Sequence, residues 1–170
     1  MKINIHFILL SLFAMLGCSS DSNSENEEPV KTVIYLIRHA EKADASADPD
    51  LSAAGLTRAN NWAVILDDVT FDAFYSTDYK RTKQTIQPTA TRDGKTVVLY
   101  NPASFTLAGV VAAHPGKNIF IVGHSNTIPA LINTYIGSNV YPDMAESEFG
   151  NLYKVTVEDG EITHGMTVHN

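Results

Sequence analysis

Two runs of apolar residues each lead into a histidine. Val33-Ile34-Tyr35-Leu36-Ile37 is followed by Arg38-His39, and Ile119-Phe120-Ile121-Val122 by Gly123-His124. Both runs are short, rich in β-branched and aromatic residues, and apolar at every position. That pattern describes a strand buried on both faces, as in a parallel sheet, because an exposed face would call for alternation. In a parallel sheet the carboxyl ends of the strands lie on one edge, and open α/β sheets bind ligands there. The two runs therefore predict a sheet type and also a meeting of His39 with His124.

The segments between and around them fill in the fold. Ser52 is a good N-cap, and Leu56, Ala59, Ala63 and Leu66 give helical spacing, with Trp62 expected at the rim. Asp67-Asp68 sits at the wrong end for the helix dipole, so the helix should stop before it. Ala73 to Ser76 reads as a strand. Thr77 to Arg92 reads as a helix in which Pro88 should cause a kink or an end. A strand over 96–100, a weak helix over 104–113 and a helix over 127–136 complete the alternation, with Pro129 tolerated in the first turn of the last helix. The tail differs: Leu152–Val157 and Ile162–Val168 flank Glu158-Asp159-Gly160-Glu161, a hairpin signal. The fold class is α/β, a three-layer α/β/α sandwich with a mostly parallel central sheet and a C-terminal β-hairpin.

The first 31 residues stand apart. Lys2 precedes a mostly apolar stretch, Ile3 to Leu16, which is too short to span a bilayer but fits a secretory signal. Leu16-Gly17-Cys18 resembles a bacterial lipobox, which implies lipidation at Cys18, a membrane anchor there and a place in the cell envelope, periplasmic or at the cell surface. Cys18 is the single cysteine of the chain, so it has no intrachain disulfide partner. Ser19 to Pro29 carries no apolar residue and cannot build a core. The expected organisation is a signal over 1–17, an acidic tether over 18–31 and one domain over 32–170. A formal net charge of −7 argues against nucleic acid as a partner. An anionic ligand would need a local basic pocket.

Such a pocket is available at the predicted sheet edge. Arg81 falls just inside the helix that follows the second strand, on the same edge as Arg38, His39 and His124. Two arginines present planar forks suited to phosphate oxygens. A neutral imidazole can attack phosphorus. A second histidine and the arginines can hold the charge that spreads over the equatorial oxygens. A site so rich in cations repels a divalent metal ion, and no metal or other cofactor is called for.

These residues carry a family resemblance. Arg38-His39-Ala40-Glu41-Lys42 resembles the RH(G/A) signature of the histidine phosphatase superfamily, the group of phosphoglycerate mutases and acid phosphatases. Leu51-Ser52-Ala53-Ala54-Gly55-Leu56-Thr57-Arg58-Ala59 is similar to its L(S/T)xxGxxRA segment. Ser76 to Thr85 resembles SxxxRTxQT, and Gly123-His124-Ser125-Asn126 resembles GH(S/G). The motifs stand in the family's order over about residues 33 to 130. The resemblance implies a metal-independent phosphatase in which His39 is the phosphorylated nucleophile. Arg38, Arg81 and His124 then bind the phosphoryl group of a small phosphorylated substrate, with His124 protonated.

The general acid has no obvious position. The third strand ends in Tyr100-Asn101-Pro102 without a carboxylate, and Ser125 stands where one branch of the family has an aspartate. Glu41 is nearest His39 in the chain and is taken as the first candidate, with Asp44, Glu146 and Glu148 as the others. Two further functions fit the same residues. One is a phosphohistidine-protein phosphatase, which suits the size but not the export signal. The other is a non-catalytic binder of phosphorylated ligands, which would have no use for the nucleophile.

Overall fold

A computed structural model describes residues 30–169. The expected signal, Cys18 and the tether up to residue 29 lie outside the described residues. The elements are β1 (Lys31–Arg38), α1 (Ala53–Ile65), β2 (Ala73–Thr77), α2 (Lys80–Arg92), β3 (Val97–Tyr100), α3 (Leu107–Ala113), β4 (Asn118–Gly123), α4 (Thr127–Ile136), β5 (Asn151–Glu158) and β6 (Glu161–Val168). They form one sheet in the order β3-β2-β4-β1-β5-β6. The first four positions pair in parallel, and β5 and β6 are antiparallel. The domain starts one residue earlier than expected, since Lys31 already pairs with Glu158 in the sheet.

The two apolar runs lie side by side at the centre of this sheet, where period-two geometry sends alternate residues to opposite faces. Ile34, Leu36, Ile119 and Ile121 pack with Leu107 and Val110 of α3 and Ile128 and Ile132 of α4. Ile37, Phe74, Phe120 and Val122 face the other way, against Trp62 of α1 and Ile86 and Ala90 of α2. Each large side chain buried this way contributes roughly 1.5–3 kcal/mol. This two-sided burial is why the runs cannot alternate with polar residues. The result is the sandwich the pattern implied, with the hairpin extending the sheet on one side.

Several local expectations change. Trp62 is fully buried rather than at the rim, because it points into the layer between α1 and the sheet beside Leu66 and Phe71. The helix α2 starts at Lys80, since Ser76 and Thr77 complete β2. It also runs through Pro88 without ending. Its buried face, Thr82, Thr85, Ile86, Thr89 and Ala90, continues on both sides of the proline, so packing outweighs the lost backbone bond. The hairpin forms as read: Asp159 and Gly160 both take positive φ, 50° and 84°, as a tight two-residue turn requires.

Candidate active site

Strand register builds the site. Arg38 is paired with Gly123 across β1 and β4, so the next residues, His39 and His124, emerge together. The backbone N–H of His39 donates to the carbonyl of Gly123 at 2.9 Å, which extends the pairing one step beyond the strand. The two imidazole centroids are 5.5 Å apart at 68°. Gly123 must be small here: a Cβ would meet the Ile128 side chain and the Tyr100 hydroxyl, each at 2.8 Å. On the far side of β4, Ser76 is paired with Val122, which brings Thr77 beside His124. The Thr77 hydroxyl lies 3.0 Å from His124 Nε2. Thr82 donates to the Thr77 carbonyl at 2.8 Å, and Thr77 can donate in turn to Thr82 Oγ1 at 3.1 Å. In that chain Thr77 accepts from His124 Nε2–H, and Nδ1 is left as the nitrogen for a bound oxygen.

The two arginines approach from opposite sides. Arg81, in the first turn of α2, lies over the ring of Tyr79 at 4.2 Å, and that ring meets His124 edge-on at 5.2 Å. Arg38 is held by a loop from the other flank. Its Nη1 donates to the carbonyls of Ala145, Glu146 and Glu148 at 2.8, 3.3 and 3.1 Å. Phe149 covers its guanidinium at 4.3 Å. A cation only 2% exposed needs such partners. Yet Nε of Arg38 and Nε of Arg81 are both buried with no partner among the described residues. Buried donors are rarely left so, and two of them beside two histidines suit a tetrahedral anion.

The histidines are set for chemistry at neutral pH. His39 Nδ1 is 2.8 Å from the carbonyl of Ala40, so Nδ1 carries the proton and Nε2 keeps the lone pair. Burial pushes the His39 pKa down to about 4, helped by the charges of His124, Arg38 and Arg81 and opposed by the Ala40 bond. His124 is likewise pushed down to about 4, by burial first and then by Arg81 and Arg38. The protonated His124 implied by the resemblance belongs to a pocket with phosphate bound; without an anion the lowered pKa leaves the ring neutral at pH 7. With two cations as neighbours and little water, the ring stays neutral until an anion offsets them.

A bound dianion should reverse that balance, so binding must take up a proton above about pH 4, the lowered value. Sulfate, which stays dianionic, is expected to bind more tightly as pH falls from 7 to 5, by up to about tenfold per unit. Calorimetry in buffers of different ionisation heat measures the proton uptake directly. Affinity independent of pH, with no proton uptake, would contradict this assignment.

The carboxylates separate cleanly. Glu41 does not serve the pocket. Arg58 of α1 binds both its oxygens, Nε at 2.9 and 3.0 Å and Nη2 at 2.8 Å. Burial opposes the Glu41 charge, but the Arg58 bonds, its own backbone amide and nearby positive charge still hold its carboxyl below the usual range. Asp44 accepts from the backbone of Ser46 at 2.8 Å and Glu148 from that of Ala145 at 2.8 Å, each closing its own turn. Of these four carboxylates, Glu146 is the one paired with a pocket arginine among the described residues, with Oε2 3.3 Å from Arg38 Nη2. Asp48, not singled out from the sequence, lies 3.9 Å from Arg81 and caps α2 by accepting from the N–H of Lys80 at 2.8 Å.

Each motif residue now has a physical task. Ser52 donates its N–H to the Glu41 carbonyl at 2.9 Å, and Gly55 lies against that same carbonyl with no room for a Cβ. With Arg58 they clamp the loop after His39. Gln84 accepts from the N–H of Leu51 and Thr85 from that of Ala40, at 2.8 and 2.9 Å. Thr77, Tyr79 and Phe149 went unremarked in the sequence, because none is a charged or nucleophilic type. Thr77 and Tyr79 both sit inside the Ser76–Thr85 segment, which was the available signal for them, and Phe149 had none.

Comparison with known proteins agrees with this geometry. Residues 34–103 match the family model described as histidine phosphatase superfamily (branch 1). No curated protein sequence matches the chain. Among solved structures, SixA from Agrobacterium tumefaciens, described as a phosphohistidine phosphatase, is 21% identical with a TM-score of 0.61, over 81% of this chain and 98% of that one. A phosphoserine phosphatase from Entamoeba histolytica, solved with 3-phosphoglyceric acid, is 18% identical with a TM-score of 0.66, over 82% and 98%. These structures share the fold, and the sequence match covers its first half, including His39 and Arg81. Over residues 34–103 the chain is thus similar to the histidine phosphatase superfamily (branch 1), and its fold is that of these solved structures.

Proposed function

We propose that the protein hydrolyses phosphate monoesters through a phosphohistidine formed on His39. The observation that carries this is the state of His39: buried, neutral, its Nδ1 proton given to Ala40 and its Nε2 lone pair free, between two arginines with unpartnered Nε donors. The phosphoryl group sits against Arg38, Arg81 and His124, which takes a proton as the anion arrives. His39 Nε2 attacks phosphorus, the bond to the ester oxygen breaks, and that oxygen leaves with a proton. Water then attacks the phosphohistidine, releasing phosphate and restoring neutral His39. The arginines supply the positive charge a metal would otherwise bring.

The substrate class is supported by the phosphoserine and phosphohistidine phosphatases of the same fold. The SixA likeness, which spans nearly all of that chain, favours phosphohistidine protein as the second reading. The signal pattern and Cys18 support a place in the envelope, with the domain tethered by a lipid. A screen of small phosphate esters and a phosphohistidine peptide tests the function. Turnover of esters is expected. Tight phosphate binding without turnover of any of them would make the protein a binder instead.

A further inference from the structure

We propose that Glu146 is the proton donor to the leaving oxygen, an assignment that rests on the phosphatase reading above. The loop that carries it is tied to the site at several points. Met144 donates its N–H to the Ser125 carbonyl at 3.0 Å, next to His124. Ala145 and Glu148 close a turn on each other, backbone to carboxylate at 2.8 Å and backbone to backbone at 3.0 Å. Three carbonyls of this turn receive Arg38 Nη1, and Phe149 packs over Arg38 with its ring 6.4 Å from that of His39. The loop is thus fixed to one of the phosphate ligands and borders both histidines.

Ala145, Ser147 and Glu148 of this loop are exposed as well, but the Glu146 carboxylate is the one that reaches Arg38: its side chain is 85% exposed, while the Arg38 side chain it touches is 3% exposed. In-line displacement places the attacking nitrogen and the leaving oxygen on opposite sides of phosphorus. His39 is 5% exposed, so it attacks from the buried side and the leaving oxygen points toward solvent, and the exposed carboxylate bonded to Arg38 is that of Glu146. The other nearby carboxylates are engaged: Glu41 with Arg58, Asp44 and Glu148 in their own turns, Asp48 at the start of α2. Glu146 meets only Arg38 Nη2, at 3.3 Å. The proton passes from Glu146 to the ester oxygen as the P–O bond breaks and the His39–P bond forms. In the second step the Glu146 carboxylate takes a proton from the attacking water as the N–P bond breaks, and the enzyme returns to its starting state.

The test is Glu146→Gln in the full chain, assayed with an alkyl ester, glycerol 3-phosphate, and an aryl ester, p-nitrophenyl phosphate. An alkoxide leaves poorly without a proton and a nitrophenolate leaves well. The kcat for the alkyl ester is expected to fall by about 100-fold or more, and that for the aryl ester far less. Glu146→Asp, which keeps the carboxyl, should recover part of the alkyl activity. Equal losses on both esters, or no recovery with aspartate, would overturn the proposal. So would a lower KM with higher kcat on both, which would mean the carboxylate merely competes with phosphate for Arg38. A wild-type enzyme that turns over neither these two esters nor any other substrate of the screen above would remove the phosphatase reading itself, an outcome separate from any difference between wild type and variant.

Discussion

Replacing His39 by alanine is expected to reduce kcat by about 10^4-fold or more, on the scale seen when a nucleophile is removed from a site whose other groups remain. The reason is chemical, because the other imidazole of the pocket, His124, takes up a proton as the anion binds and then has no lone pair with which to attack. His124 is held at Nε2 by Thr77 and belongs to the binding side of the pocket. The fold should survive the change, since among the described residues the His39 side chain bonds only to the carbonyl of the next residue. Phosphate binding should persist, weakened but measurable, through the two arginines. Steady-state kinetics with a thermal melt separates these effects. A variant that folds and keeps a tenth of wild-type turnover would place the nucleophile elsewhere.

Arg38→Ala should be the second large loss and should differ in kind. It removes a donor to the phosphoryl oxygens, which costs on the order of 100- to 1000-fold in kcat for one such donor. It also leaves the carbonyls of Ala145, Glu146 and Glu148 without their shared partner. These bonds are part-buried and come from a charged donor, each such bond being worth about 1.5–3 kcal/mol, so stability should fall as well. The companion Arg81→Ala should lower activity with little loss of stability, because Arg81 leans on Tyr79 and on loop atoms no closer than 3.5 Å. Hydrogen exchange over residues 142–150 is the discriminating measurement. Faster exchange there is expected for Arg38→Ala and not for Arg81→Ala. The same exchange in both would mean that Arg38 does not organise the loop.

Much of this pocket was legible in the chain. The two apolar runs gave strands buried on both faces, and their parity gave two core layers. The expected meeting of His39 with His124 at one sheet edge is met by a register that pairs Arg38 with Gly123. Arg81 could be placed because a helix begins just after a strand end on that edge. What escaped had a common cause. Glu41 drew notice as the carboxylate nearest His39 in the chain, but its partner Arg58 is 17 residues away on α1, and sequence distance says nothing of that pairing. Pro88 argued for a break that tertiary packing on either side prevents. The loop over Arg38 lies 107 to 110 residues from it and works mainly through backbone carbonyls, which any residue type can supply. Thr77 fixes the second histidine with an ordinary hydroxyl.

The central claim is that phosphate passes through His39 Nε2. Wild-type protein mixed with a turned-over ester and quenched within milliseconds in alkali preserves a phosphohistidine, since its P–N bond is stable to base and labile to acid. Peptide mass analysis of that sample should find phosphate on the fragment carrying His39, absent after acid treatment and absent in His39→Ala. Phosphate on another residue, or active turnover with no acid-labile phosphoenzyme at any quench time, would contradict the account.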